Sequence, residues 1–164
     1  MPDLITHVAF CYFLKRPYDL IKRQSVNSNL RVLFYLGTIL PDILTRPLYI
    51  LFPSTHDYII YFHTPAVMFL VCGLVALLFS RSLWKRVFLN LISGAGLHFL
   101  LDSFQYQIYG NNYWLFPFSW KSIGIGLFYP ANMIKHIPIF IAMIVFLELI
   151  LFLIKKKNMD KMNN

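Results

Sequence analysis

Charge is scarce in this chain. Lysine, arginine, aspartate and glutamate make up 13% of its residues, about half the share usual in a soluble domain. Acidic side chains are the scarcest, seven against fifteen basic ones. The surplus of base, formally +8, does not point to nucleic acid. The basic residues form no patch among exposed polar neighbours and match no groove-reading motif. Cysteine is nearly absent too. Cys11 and Cys72 both fall in apolar stretches, with none of the paired spacings a disulfide framework or a Cys-ligated zinc finger needs, so both read as small buried hydrophobes. The first residues lack the basic start of a signal peptide: they open on Asp3, and the apolar run ends early at Lys15-Arg16. No internal repeat is visible, nor an inverted pair of interrupted helices of the transporter kind.

What fills the space is apolar: 58% of the 164 residues are hydrophobic and 18% aromatic. This composition and length predict one compact integral membrane unit, residues 1–154, followed by a basic, flexible tail at 155–164. Four apolar segments, about 30–52, 61–79, 87–105 and 137–154, each approach the ~20 residues of a membrane-spanning helix. A fifth, 4–14, is too short to cross and reads as a packed or partly inserted helix. The expected fold is therefore all-α, a polytopic bundle of about four spanning helices plus a short N-terminal helix. Between 106 and 132 lies a loop rich in Gly, Asn, Tyr and Trp, whose aromatics (Tyr109 to Trp114, then Leu115-Phe116-Pro117-Phe118) suit an interfacial cap.

Orientation follows from the basic residues, which favour the cytoplasmic side. Lys15, Arg16, Lys22, Arg23 and Arg31 precede the first segment, Arg81, Lys85 and Arg86 separate the second from the third, and Lys155, Lys156 and Lys157 end the fourth. The 52–60 connection has none, and the 106–132 loop only Lys121. Both termini and the 80–86 turn thus belong inside, which four spans satisfy.

Against this background five polar residues stand out: His7, Asp42, His63, His98 and Asp102. An ionisable group in hydrocarbon costs a few kcal/mol or more, is retained only with a partner, and marks function by default. Counted at ~1.5 Å per residue from the nearest inner basic marker, His7 lies ~12 Å deep, Asp42 ~16 Å, His98 ~18 Å, Asp102 ~24 Å and His63 ~27 Å. Four segments thus place polar groups in the middle or outer half of a ~30 Å layer. Imidazole and carboxylate without thiolate are the ligands of a hydrolytic metal centre.

Each residue alone has a plainer explanation. His98 and Asp102, one turn apart on one helix face, could be a lone buried hydrogen bond; Gly94 and Gly96 before them permit close helix approach. Asp42 follows Pro41, where a helix frees backbone carbonyls, and could sit at a helix end. His63 precedes Thr64-Pro65, which read as N-cap and first helical position, and could be interfacial. His7 could be a packing residue. Only the five together imply a shared site. His56 and Asp57 in the outer connection could add a ligand or a proton shuttle, or be a solvated pair. His136 reads as interfacial. Glu148, the only glutamate, would neutralise a basic residue or a helix end. Arg46-Pro47, Pro53-Ser54-Thr55-His56 and Ser80-Arg81 echo the lipid phosphatases with a histidine nucleophile, but Ile39 and Val87 stand where those enzymes need lysine and histidine.

Met-Pro-Asp-Leu-Ile-Thr-His at 1–7, Leu-Pro-Asp at 40–42, Phe-His-Thr-Pro at 62–65, Leu-His-Phe-Leu-Leu-Asp at 97–102 and Leu-Phe-Pro-Phe-Ser at 115–119 occur in an order that resembles the bacterial membrane-bound, predicted metal-dependent hydrolases of the YdjM-like type. The resemblance covers about residues 1–130. It implies a multi-helix inner-membrane protein with metal ligands at His7, Asp42, His63, His98 and Asp102. Many such proteins carry a second aspartate where this chain has Leu44. The combined expectation is a membrane hydrolase holding one divalent ion, zinc by its ligand set, and acting on a lipidic or membrane-delivered ester or phosphoester. His56 or Asp102 would serve as general base, and the 106–120 loop would cover the site. Its partners would be membrane lipids and no nucleic acid. A non-enzymatic protein that relays protons or carries ions through the same buried residues is the alternative, and a structural partner of another membrane complex a third.

Overall fold

The computed structural model describes residues 4–21, 28–106 and 113–162, and among these the chain is helical, with no strand beyond one isolated bridge between Gln105 and Phe128. In chain order the helices are α1 (Leu4–Ile21), α2 (Ser28–Leu51), the one-turn α3 (His56–Ile59) between two 3-10 turns, α4 (Pro65–Leu77), α5 (Trp84–Phe104), the short α6 (Pro130–Ile134) and α7 (Ile137–Met162).

The bundle is built on α2 against α5, with α4 also packed on α5, α1 touching both α2 and α5, and α7 against α1. Glycine sets the closest approach. A methyl built on Gly94 would overlap the Phe34 carbonyl, and one built on Gly37 would overlap the Leu91 carbonyl, so α2 and α5 touch backbone to backbone, as small residues permit between membrane helices. Gly96, expected to share this role, faces open space instead. It lies on the exposed side of α5.

Two apolar clusters flank the crossing. Cys72, Ala76, Val87 and Leu91 join α4 to α5. Met68, Ala95 and Phe99, with Leu40, Leu44 and Trp114 against them, form the second. Leu44 therefore belongs to the apolar packing between α2 and α5. Both cysteines are buried and free.

Buried and part-buried threonine hydroxyls bond to backbone carbonyls of the preceding turn. Within α2, Thr38 donates to the Phe34 carbonyl (3.2 Å) and Thr45 to the Pro41 carbonyl (2.9 Å), the backward bonding hydroxyls use inside apolar helices. Thr64 is the N-cap of α4 and Pro65 its first residue, as the sequence predicts. The Thr64 hydroxyl turns back to the Tyr61 carbonyl (2.9 Å) rather than forward into the helix.

Two helices, Trp84–Phe104 and Ile137–Ile154, are long and apolar enough to cross a membrane. The other expected segments differ in ways the residues explain. The helix in the 61–79 run is only thirteen residues, ~20 Å at 1.5 Å per residue, because 60–62 is a 3-10 turn and His63 leaves it with φ −93° and ψ 54°. The 30–52 run does form one helix, α2, of 24 residues, interrupted in character by Pro41 and Pro47 and carrying charged Arg31, Asp42 and Arg46. At its far end α7 runs on through Lys155, Lys156 and Lys157 to Met162.

The exterior is oily. Phe69, Leu70, Leu74 and Leu77 on α4, and Ile139, Val145, Phe146, Phe152 and Leu153 on α7, are exposed. α7 is tied to the body through polar groups: Arg16 donates from Nε and Nη2 to both Glu148 oxygens at 2.7 and 2.9 Å, and the Tyr12 hydroxyl donates to Oε1. Glu148 thus neutralises a basic residue, one of the two roles the sequence leaves open. Burial first, and then Glu148, push the Tyr12 phenol up to about 12, so it remains a donor at neutral pH.

Candidate metal centre

Where a membrane-type bundle should be driest, this one is polar. His7, Asp42 and His98 are no more than 1% exposed, Asp102 is 3% and His63 8%. They come from α1, α2, the turn before α4, and α5. α5 supplies two of them one turn apart, and His98 Nε2 lies 3.2 Å from Asp102 Oδ2. The extended Thr64 backbone and the Pro65 helix start leave His63 on the inner side of the turn, its Nε2 2.8 Å from the same oxygen. α1 brings His7 in from the opposite side. Its ring stacks on His98 at 4.1 Å between centroids, and its Nε2 lies 3.4 Å from Asp102 Oδ1. On α2, Asp42 follows Pro41 and places its Oδ1 4.0 Å from His98 Nε2.

Three imidazoles therefore turn the same atom, Nε2, toward two carboxylates. His63 Nε2 and His98 Nε2 are 3.3 Å apart, and both face the Asp102 carboxylate. The residues fit a metal ion. Two groups, His7-Asp42-His98 and His63-His98-Asp102, each offer ligand atoms within 4.8 Å of one another. Donors bonded to one tetrahedral ion at ~2.0–2.2 Å would stand about 3.3–3.6 Å apart, inside the 2.8 to 4.0 Å range of the His–Asp contacts. The donor chemistry, nitrogen and oxygen without sulfur, suits zinc and its divalent neighbours. Among the described residues His63 Nδ1 and His98 Nδ1 have no hydrogen-bond partner, unlike the usual second shell of a metal-bound histidine.

The five residues singled out in the sequence are thus brought together. The other candidates are not placed with them. His56 lies on the backbone of α3, but its side chain and that of Asp57 lie outside the described residues, as do Tyr109 to Asn112 of the aromatic loop. His136 is exposed and bonded through Nδ1 to the Asn132 carbonyl at 2.7 Å.

The described part of the loop lies over the site at one remove. Trp114 packs edge-on to Phe99, and Phe99 in turn packs edge-on to both His63 and His98. Farther out, Tyr61 gathers Tyr113, Phe116 and Trp120 around itself.

Sequence reasoning passed over two features. Arg46, noted only for the phosphatase echo, reaches back one turn with Nη2 2.7 Å from Asp42 Oδ2; its i,i+4 spacing from Asp42 was the available signal. Asp19 is buried near the C-terminal end of α1, with Lys15 at 3.0 Å and Arg31 at 3.2 Å. No family model, curated protein or solved structure matches this chain.

Proposed function

We propose that this chain is an integral membrane hydrolase dependent on one divalent metal, zinc, of the YdjM-like type. One observation carries the reading: five ionisable side chains from four separate elements meet in a buried cluster with metal-ligand chemistry. A buried group of this kind is expensive unless something compensates it. His98 Nε2 is common to both possible ligand groups, and one nitrogen lone pair serves one ion, which favours a single centre over two.

His7, His63 and His98 would hold the ion through Nε2, with Asp42 and Asp102 completing the set. Such an ion supplies an activated water and polarises a phosphoryl or acyl oxygen. As a ligand beside all three imidazoles, Asp102 would be one candidate to accept a proton from that water; His56 is the second candidate for that role. Phe99 and Trp114 keep bulk water off the cluster from the loop side. The oily exterior of α4 and α7 supports residence in a bacterial inner membrane as a four-span bundle with both termini inside, and a lipidic or membrane-delivered substrate.

Metal analysis of purified protein tests the centre. The wild type should hold about one zinc per chain, and His98→Ala with Asp102→Ala should hold almost none; equal content in both removes the basis for the reading. Incubation with lipid extracts, read by mass spectrometry, then seeks the bond cut. Counterflow of metal in proteoliposomes without any ester turnover would favour the ion-handling alternative.

A further inference from the structure

The stretch 78–86 leads from the end of α4 into the first turn of α5 and carries Arg81, Lys85 and Arg86, all three exposed. The sequence holds no acidic residue between Asp57 and Asp102, and among the described residues none of these cations makes an ion pair. The described cations of α1 and α2 are matched differently. Lys15 and Arg31 meet Asp19, Arg16 meets Glu148 and Arg46 meets Asp42.

Exposed cations are solvated by water, so charge alone would say little about a partner. What narrows it is the apolar collar around them. Leu78 is 84% exposed, and Phe79, Leu83 and Trp84 are 37–38% exposed. The collar and the cations sit on a turn that is held in shape. Trp84 Nε1 donates to the Phe79 carbonyl at 2.7 Å, the Leu83 N–H donates to the Ser80 carbonyl at 2.8 Å, and the Ser80 and Ser82 hydroxyls share a hydrogen bond at 3.3 Å.

An acidic protein in water would match the cations and leave the collar wet. A bilayer boundary matches both, with acyl chains against the collar and headgroup phosphates against the cations. We propose that this turn is a binding surface for the headgroups of anionic phospholipids. It rests on the membrane residence proposed above, and its placement at the inner leaflet rests on the topology proposed there.

Purified full-length protein in detergent is given an equimolar mixture of phosphatidylglycerol and phosphatidylcholine with the same acyl chains, and retained lipid is counted by native mass spectrometry. The wild type should retain phosphatidylglycerol in preference. Arg81→Gln, Lys85→Gln and Arg86→Gln combined should cut that preference at least tenfold, at about fivefold for each cation lost near an anionic headgroup layer. If the combined variant does not fold, the three single substitutions, all at exposed positions, read the same effect. Lys121→Gln removes an exposed cation of the 106–132 loop and should change nothing. An excess of inorganic phosphate should not displace the lipid. Equal retention of the two lipids by the wild type overturns the proposal, as does an undiminished preference in the combined variant or an equal loss in Lys121→Gln. Displacement by inorganic phosphate overturns it too, since the free anion would then be the ligand. Binding of polyglutamate without any lipid preference does the same and marks an acidic protein as the partner. None of these readouts depends on zinc or on the side of the membrane, so the proposal can fail while the metal centre and the topology stand. Labelling of Ser82→Cys from outside, with the lipid preference intact, overturns the topology alone and leaves the headgroup surface standing.

Discussion

At the scale of single residues, the centre is held by competing demands on two carboxylates. Asp102 faces three imidazole nitrogens within 3.4 Å, and Asp42 is shared between His98 and Arg46. Replacing Asp42 by Asn preserves shape and removes the charge that both neighbours see. We expect Asp42→Asn to weaken zinc binding by more than ~10-fold, the least that disturbing a metal's supporting shell costs, with the competition read against a chromophoric chelator. The five residues were legible because each contradicts its apolar surroundings. Arg46 was harder to read, since its i,i+4 spacing from Asp42 was the one sign of the carboxylate it faces. Leu44 packs with Met68, Ala95 and Phe99, so on this helix face an apolar side chain suffices.

Between elements, everything depends on how closely α2 approaches α5, since these helices carry Asp42, His98 and Asp102. Gly94 and Gly37 allow that contact, whereas Gly96 touches nothing. Gly94→Ala should force the helices apart and cost about 1–3 kcal/mol, as overpacking does, and should lower zinc occupancy with it. Gly96→Ala should change stability by less than ~0.5 kcal/mol. Thermal melts in detergent, with zinc content read in parallel, compare the two. The sequence marked both glycines for close approach. It could not say which one faced the neighbour, because they sit two residues apart and so on different sides of one helix. The depth count spread the five residues over ~15 Å because it took every helix as straight and upright. The structure instead brings them within a few ångströms of one another, with a 3-10 turn rather than a helix leading into His63.

For the molecule as a whole, polarity is turned inward at the cluster and oil outward on α4 and α7. With both termini inside, as proposed, the 52–60 connection would face out and the 80–86 turn in. Ser54 and Ser82 are exposed at those places, and the native Cys11 and Cys72 are buried. In intact cells Ser54→Cys should react with a membrane-impermeant maleimide, and Ser82→Cys should react only after permeabilisation. The reverse pattern, or equal labelling of both, would rule out this topology. α7 has little packing of its own: Glu148 anchors it to Arg16 and Tyr12, and many of its apolar side chains are exposed.

By itself the sequence determined the class of the protein, a helical chain too poor in charge to be wetted all round. It also determined which residues defied that class, because hydropathy and the cost of burying an ionisable group are properties of residue type and order. Only the tertiary structure decided that these residues share one cluster. It also made one glycine a contact while leaving the other bare. Those outcomes depend on helix rotation and crossing, which are set by side chains meeting from segments 35 to 95 positions apart, beyond what any local pattern encodes.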